Sequence, residues 1–218
     1  MPEETRRADV QGTVDAALLR RTVTARAWWA GIRSGGIFAV MAFGAPALTG
    51  VVRDSAWPWL VYVVAPFTGV GIIGLISMLK SIPVAVLLTR ACRRTLARYP
   101  VDGFWPVIEK VDGAEGDKRR SKALTFRLRT AEGEESPVMR MQPVPRRAVW
   151  RGPWPEGMDS GVYVVGDLAF GAVGYVPASG GFFFMQPDDW DACAQERRVA
   201  GGDRADRARG AGVDRRII

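Results

Sequence analysis

Between Gly35 and Leu79 the chain carries two long stretches without a charged side chain, and they restrict it to few architectures. Gly35 to Val52 is 18 uncharged residues and Trp59 to Leu79 is 21, separated by Arg53-Asp54-Ser55 and a Trp57-Pro58-Trp59 corner. As helices rising about 1.5 Å per residue they reach about 27 and 31 Å, against a bilayer hydrocarbon core of roughly 30 Å. Leu, Ile, Val and Phe supply seven residues of the first stretch and eleven of the second. At roughly −0.3 to −0.6 kcal/mol each, these favour insertion by about −2 to −4 and −3 to −7 kcal/mol. The expected unit is a transmembrane hairpin over 35–79, with spans at 35–52 and 59–79. Gly35, Gly36, Gly44, Gly50 and Pro46 make the first span the weaker. Ala39 and Ala42 in the first span, and Ala65, Gly69, Gly71 and Gly74 in the second, are small enough to let the helices meet. Packing within the hairpin is expected ahead of self-association.

Orientation follows from Arg and Lys near the span ends. Arg20, Arg21, Arg26 and Arg33 precede the first span and Lys80, Arg90, Arg93, Arg94 and Arg98 follow the second, while Arg53 in the connector is matched by Asp54. Both termini are therefore expected in the cytoplasm, in a multi-pass protein of the plasma membrane. Trp28 and Trp29 on one side, and Trp57 and Trp59 on the other, stand where aromatic side chains anchor a helix at the interface. A cleaved signal peptide ending at Ala45-Pro46-Ala47 fails on length, because 34 residues precede the run and a better span follows. Two buried helices of a soluble protein are the other alternative, and uncharged runs of this length are hard to reconcile with water.

The formal charge of +7 is unevenly placed. Residues 99–192 hold 11 Lys and Arg against 14 Asp and Glu, so the region expected to fold in water is mildly acidic. A nucleic-acid partner, which needs a basic folded face, is not expected. Segment 1–34 reads as a polar cytoplasmic lead, disordered over its first dozen residues, with a helix from Thr13 to Trp29 lying along the membrane before the chain turns in at Gly31. Segment 80–98 is a basic interfacial or exit helix: Arg90, Arg94 and Arg98 recur every four residues beside Arg93. These four arginines are expected at the lipid headgroups. Pro83 leaves open whether the helix continues the second span or stands apart.

From Tyr99 to Ala192 short alternating runs between turn signals predict a small all-β domain, barrel- or sandwich-like. The expected strands are Trp105 to Val111; Leu124 to Leu128 with Leu124, Phe126 and Leu128 on one face; Pro137 to Gln142 with Met139 and Met141 inward; Val162 to Val165; Leu168 to Val176; and Phe182 to Met185. Gly166-Asp167 and Ala178-Ser179-Gly180-Gly181 are expected turns. Residues 193–218, rich in Arg, Asp, Gly and Ala, are expected to be a disordered tail.

The chain contains no histidine, which removes histidine-based acid–base and nucleophilic chemistry and most metal sites. Cys92 and Cys193 stand alone and match no zinc, redox or disulfide motif. Glu134-Glu135 and Asp188-Asp189 lie in polar turns where carboxylates are ordinarily solvated. Gly166 to Gly171 lacks the lysine of a phosphate loop. Lys118 to Lys122 reads as a solvated loop beside Glu115 and Asp117. No catalytic residue, metal site or cofactor is expected.

This layout of Trp-flanked twin spans, an Arg-rich exit helix and a Trp- and Pro-rich β-domain with Gly-Asp-x-x-Phe-Gly at Gly166 to Gly171 resembles uncharacterised two-span membrane proteins of actinobacteria. The resemblance implies a location and an architecture and no activity. The expected partners are the bilayer and a protein, including a second copy of the chain, and the expected role is a membrane-anchored interaction module. Trp150 and Trp154, in the proline-rich connection from Pro143 to Pro155, are the candidate binding residues. A non-catalytic subunit of a transport or channel assembly is the alternative, and an enzyme comes last.

Overall fold

A computed structural model of the chain describes residues 16–53, 59–101, 103–111, 124–144, 154 and 156–218. Its first half is a pair of long antiparallel helices. Helix α1, Ala16–Ala39, passes through one wide π-helical turn, Val40–Gly44, into α2, Ala45–Arg53. The wide turn ends two residues before Pro46, which lacks an N–H and whose ring would strike the carbonyl of Ala42 in a regular helix. Helix α3, Leu60–Arg98, runs unbroken through Pro66 and Pro83. Both are long and apolar enough to cross a membrane, and only 6% and 11% of their most apolar stretches are buried.

The helices close on each other through glycine. A Cβ at Gly71 would lie 2.7 Å from the Met41 carbonyl carbon and 2.8 Å from the Cα of Ala42, and one at Gly74 would strike the ring of Phe38. Of the small residues picked out by sequence, Gly71, Gly74 and Ala42 are buried at this crossing, whereas Ala65 and Gly69 face outward.

The second half is an antiparallel sheet of seven strands: β1 Gly103–Trp105, β2 Val107–Lys110, β3 Leu124–Arg129, β4 Met139–Val144, β5 Val162–Asp167, β6 Gly171–Val176 and β7 Gly181–Pro187. The strand order is β1-β5-β6-β7-β4-β3-β2. The two edge strands are neighbours in sequence with only Pro106 between them, so one bent strand pairs with β5 on one side and β3 on the other and the sheet nearly closes into a barrel. Proline at the bend has no N–H to offer a ladder.

Alternation along the strands sorts side chains into two cores. Phe126, Leu128, Met139, Met141, Val162, Val164, Val176, Phe183 and Met185 fill the barrel. Gly174 leaves the room that the Phe183 ring occupies, and that ring meets Phe126 edge-on with centroids 5.7 Å apart. The outer face of the same strands, with Val144, Val165, Val173, Phe182 and Phe184, packs against Leu19 and Val23 of α1 and Leu88, Ala91, Cys92 and Leu96 of α3.

The structure corrects the sequence reading at several points. Residues 193–218, expected to be disordered, form α4 (Ala194–Val199), α5 (Gly202–Ala211) and an ordered end, with Ala208, Ala211 and Val213 buried in the outer core. Small side chains suffice there because the segment lies close against α3, and ion pairs and backbone hydrogen bonds supply what apolar area does not. No separate surface helix turns in at Gly31: α1 runs straight through it, since Leu19 and Val23 face protein instead of lipid. Residues 84–98 continue α3. The expected division at Tyr99 crosses a single core, Tyr99 itself being buried in it. In the sheet, the first strand begins at Gly103 and bends at Pro106, and Leu168 to Phe170 form a turn instead of opening a strand. Residues 1–15, Lys118 to Lys122, Trp57 and Trp150 lie outside the described residues.

Candidate membrane interface

Most of the exposed apolar side chains form one belt, with Ile82, Val86 and Leu87 also exposed beyond it on α3. On the first helical arm it includes Ile37, Val40, Phe43, Leu48 and Val51; on α3 it includes Val63, Phe67, Val70, Ile73, Ile76 and Leu79. Charges bound it. Arg33 and Arg53 are 20 residues apart, as are Leu60 and Lys80, which gives about 30 Å of helix between the bounding positions on each arm. Gly35 packs against Met78, so Arg33 and Lys80 stand at nearly the same height. Trp59 is 56% exposed at one border, and Trp28 and Trp29 are 69% and 72% exposed about one turn beyond Arg33 at the other.

The arginines singled out on the exit helix lie beyond Lys80 on α3. Arg90, Arg93, Arg94 and Arg98 are exposed, but they lie on the part of α3 whose other face, at Leu88, Ala91, Cys92 and Leu96, is buried under the barrel. Arg98 and Arg94 pass beside Gly210 and Gly212 at the end of α5. Between Lys80 and Arg90 the helix rises about 15 Å, and between Lys80 and Arg98 about 27 Å.

Trp154 is half-buried and packs on the barrel core, its ring edge-on to Phe126 with centroids 6.2 Å apart at 81°. Part of the indole faces solvent and part is structural. On the outer face of β3, Arg129 and Arg127 flank Glu135 at 2.5 and 3.1 Å, and Arg129 first of all holds that carboxyl below its usual range.

Residues that fix the barrel to the helices escaped the sequence reading. Arg26 of α1 donates to the carbonyl of Gly180 in the β6–β7 turn. Asp167, 8% exposed, accepts from the backbone N–H of Ala169 and holds the Arg204 guanidinium of α5 through both carboxylate oxygens. That pairing raises the Arg204 pKa above its ordinary value. Arg197 of α4 lies over the Trp190 ring and donates to the carbonyls of Ala169 and Trp190. Gln186, fully buried, donates from Nε2 to the carbonyls of Phe170 and Arg215 and accepts at Oε1 from the N–H groups of Ile217 and Ile218. Only the register of β7, which turns Gln186 outward beside Phe184, could have pointed to it.

Cys92 and Cys193 are free and buried, and burial pushes the Cys193 thiol up from its ordinary value. Among the described residues no group of His, Cys, Asp or Glu is placed to hold a metal. Compared with known proteins, the chain matches no protein-family model, no curated protein and no solved structure.

Proposed function

We propose that the chain is an integral protein of the plasma membrane that crosses the bilayer twice with both termini in the cytoplasm, and that its barrel serves there as a protein-interaction module. The observation that carries this reading is the apolar belt, bounded by Arg33, Arg53 and Lys80. Its height of about 30 Å equals a bilayer's hydrocarbon thickness, and in water it would leave a far larger apolar surface exposed than a soluble monomer carries. Trp28, Trp29 and Trp59 then fall at the two interfaces. With Arg33 and Lys80 at the cytoplasmic edge, Arg90 to Arg98 stand about 15–27 Å outside the hydrocarbon, beyond most of the headgroup layer.

The interaction reading draws on the shared outer core, which holds the barrel in one orientation relative to the helices and so presents a fixed surface to the cytoplasm. The exposed part of Trp154 belongs to that surface. A part in ion transport finds less support, because Tyr62 is the one ionisable side chain within the two spans. Reporter fusions after Ser55 should be extracytoplasmic, and fusions after Val10 and at the C-terminus cytoplasmic; a secreted C-terminal reporter would overturn the topology. Capture from mild detergent should give a copurifying protein whose recovery falls in Trp154→Ala while the barrel stays folded.

A further inference from the structure

Where α1 and α3 run on from the belt toward the barrel, small side chains leave a groove of about 880 Å³ between them. Ala17, Thr24, Ala25 and Ala97 supply its small lining, and Arg20, Arg21, Arg90, Arg93 and Arg94 supply everything charged. Among the described residues no acidic side chain lines it, and none of these five arginines forms an ion pair. Five like charges facing one opening repel each other, and Arg20 adds a second cost: its Nε is buried without a hydrogen-bond partner among the described residues. A guanidinium offers a planar fork of donors that matches phosphate oxygens two at a time. The space lies within the range of small-molecule sites.

We propose that this groove binds a phosphate-bearing anion, with Arg20 and Arg21 gripping it from α1 and Arg90, Arg93 and Arg94 from α3. An anion held there would offset the repulsion among the five guanidiniums. Because both walls contribute donors, the bound anion also ties the two arms together at the level where they meet the barrel. The height of the groove selects between sources of phosphate, and this clause alone rests on the membrane reading. Arg21 is 12 residues from Arg33 and Arg90 is 10 from Lys80, about 18 and 15 Å of helix, so a free phosphate compound reaches the groove more readily than an ordinary phospholipid headgroup.

The test uses the full chain in neutral detergent and follows thermal unfolding with inorganic pyrophosphate, with sodium chloride at matched ionic strength, and with micelles containing dioleoylphosphatidylglycerol or dioleoylphosphatidylcholine. Arg21 and Arg93 are exposed, so Arg21→Gln/Arg93→Gln should fold normally. Arg198→Gln/Arg215→Gln removes the same charge from exposed positions outside the groove. The expected result is stabilisation by pyrophosphate that chloride does not reproduce, with apparent affinity roughly tenfold weaker in the groove variant and unchanged in the control. A response confined to phosphatidylglycerol and lost in the groove variant supports the same site with lipid phosphate as its source. No response, or an equal loss in both variants, overturns the proposal. Carbonate-resistant membrane association of the same proteins reports the anchoring separately, and its failure would leave a pyrophosphate response standing.

Discussion

Replacing Gln186 by Leu tests whether the C-terminal segment is held by one buried amide. Leucine nearly conserves the volume, so the packing around Phe184 and Met185 changes little and the effect is confined to hydrogen bonds. Four are lost: those to Phe170 and Arg215 from Nε2, and those from Ile217 and Ile218 to Oε1. The groups on Arg215, Ile217 and Ile218 can turn to water if the segment lifts away, but Phe170 is 5% exposed and its carbonyl stays buried. At about 1 kcal/mol net for each of the three bonds released to water, and about 1–3 kcal/mol for the stranded Phe170 carbonyl, the cost is about 4–6 kcal/mol. Barrel and tail together make about 120 residues, for which that cost lowers Tm by about 16–24 °C. If the segment opens on its own, the loss of its three bonds, about 3 kcal/mol, raises its open population roughly 160-fold, and tryptic cleavage after Arg215 should accelerate accordingly.

Gln186→Glu sharpens the test by its pH dependence. The carboxylate keeps the two backbone donors but turns its other oxygen toward two carbonyls in a buried site, so its folded pKa rises above the usual value of about 4.3. The folded state then binds more protons than the unfolded one, and stability falls as pH rises through the window between the two pKa values. This variant should melt higher at pH 5 than at pH 8, relative to the wild type and the Leu variant measured at the same pH values. A Leu variant within 2 °C of the wild type, with an unchanged tryptic rate, would show that the tail is held by something else.

Two further outcomes test the architecture. Gly71→Val places a branched side chain against the backbone of Met41 and Ala42, so it should force the helical arms apart, cost about 1–3 kcal/mol or more, and weaken a disulfide cross-link engineered between them, whereas Gly69→Val, which meets nothing within 4 Å, should be silent. Residues 99–192 expressed alone lose the helical lining of the outer core and leave Val165, Val173, Phe182 and Phe184 uncovered, so the fragment should aggregate or bind a hydrophobic dye strongly; a soluble, cooperatively melting fragment would refute the shared core.

The elements legible in sequence are those whose stabilisation is local or periodic. Leu124, Phe126 and Leu128, like Met139 and Met141, announce a face by alternation, and the structure puts the buried ones inside the barrel. The two apolar helices were legible from length alone. What escaped depends on partners distant in sequence. A glycine such as Gly31 argues for a helix end unless tertiary contacts at Leu19 and Val23 hold the turns before it. The tail has few large apolar residues, and its order comes from Asp167 to Arg204, 37 positions apart, and from Gln186. The groove was hidden because Arg20 and Arg21 carry the same positive-flank signal as any arginines before a span; only the antiparallel register of α1 and α3 sets them opposite Arg90, Arg93 and Arg94.

The bend at Pro106 also bears on how quickly the barrel can form. One seam joins Val107 to Arg129 across 22 residues of chain, and the other joins Gly103 to Val164 across 61. For a free chain the longer loop costs about 0.9 kcal/mol more in closure entropy, making that seam the slow one and leaving two strand edges open to other chains meanwhile. Here Gly103 follows five residues after the end of α3, and α3 also touches β5. A helix formed first would hold both lips of the slow seam near one another, so the hairpin acts on the nascent barrel as a template as well as a tether.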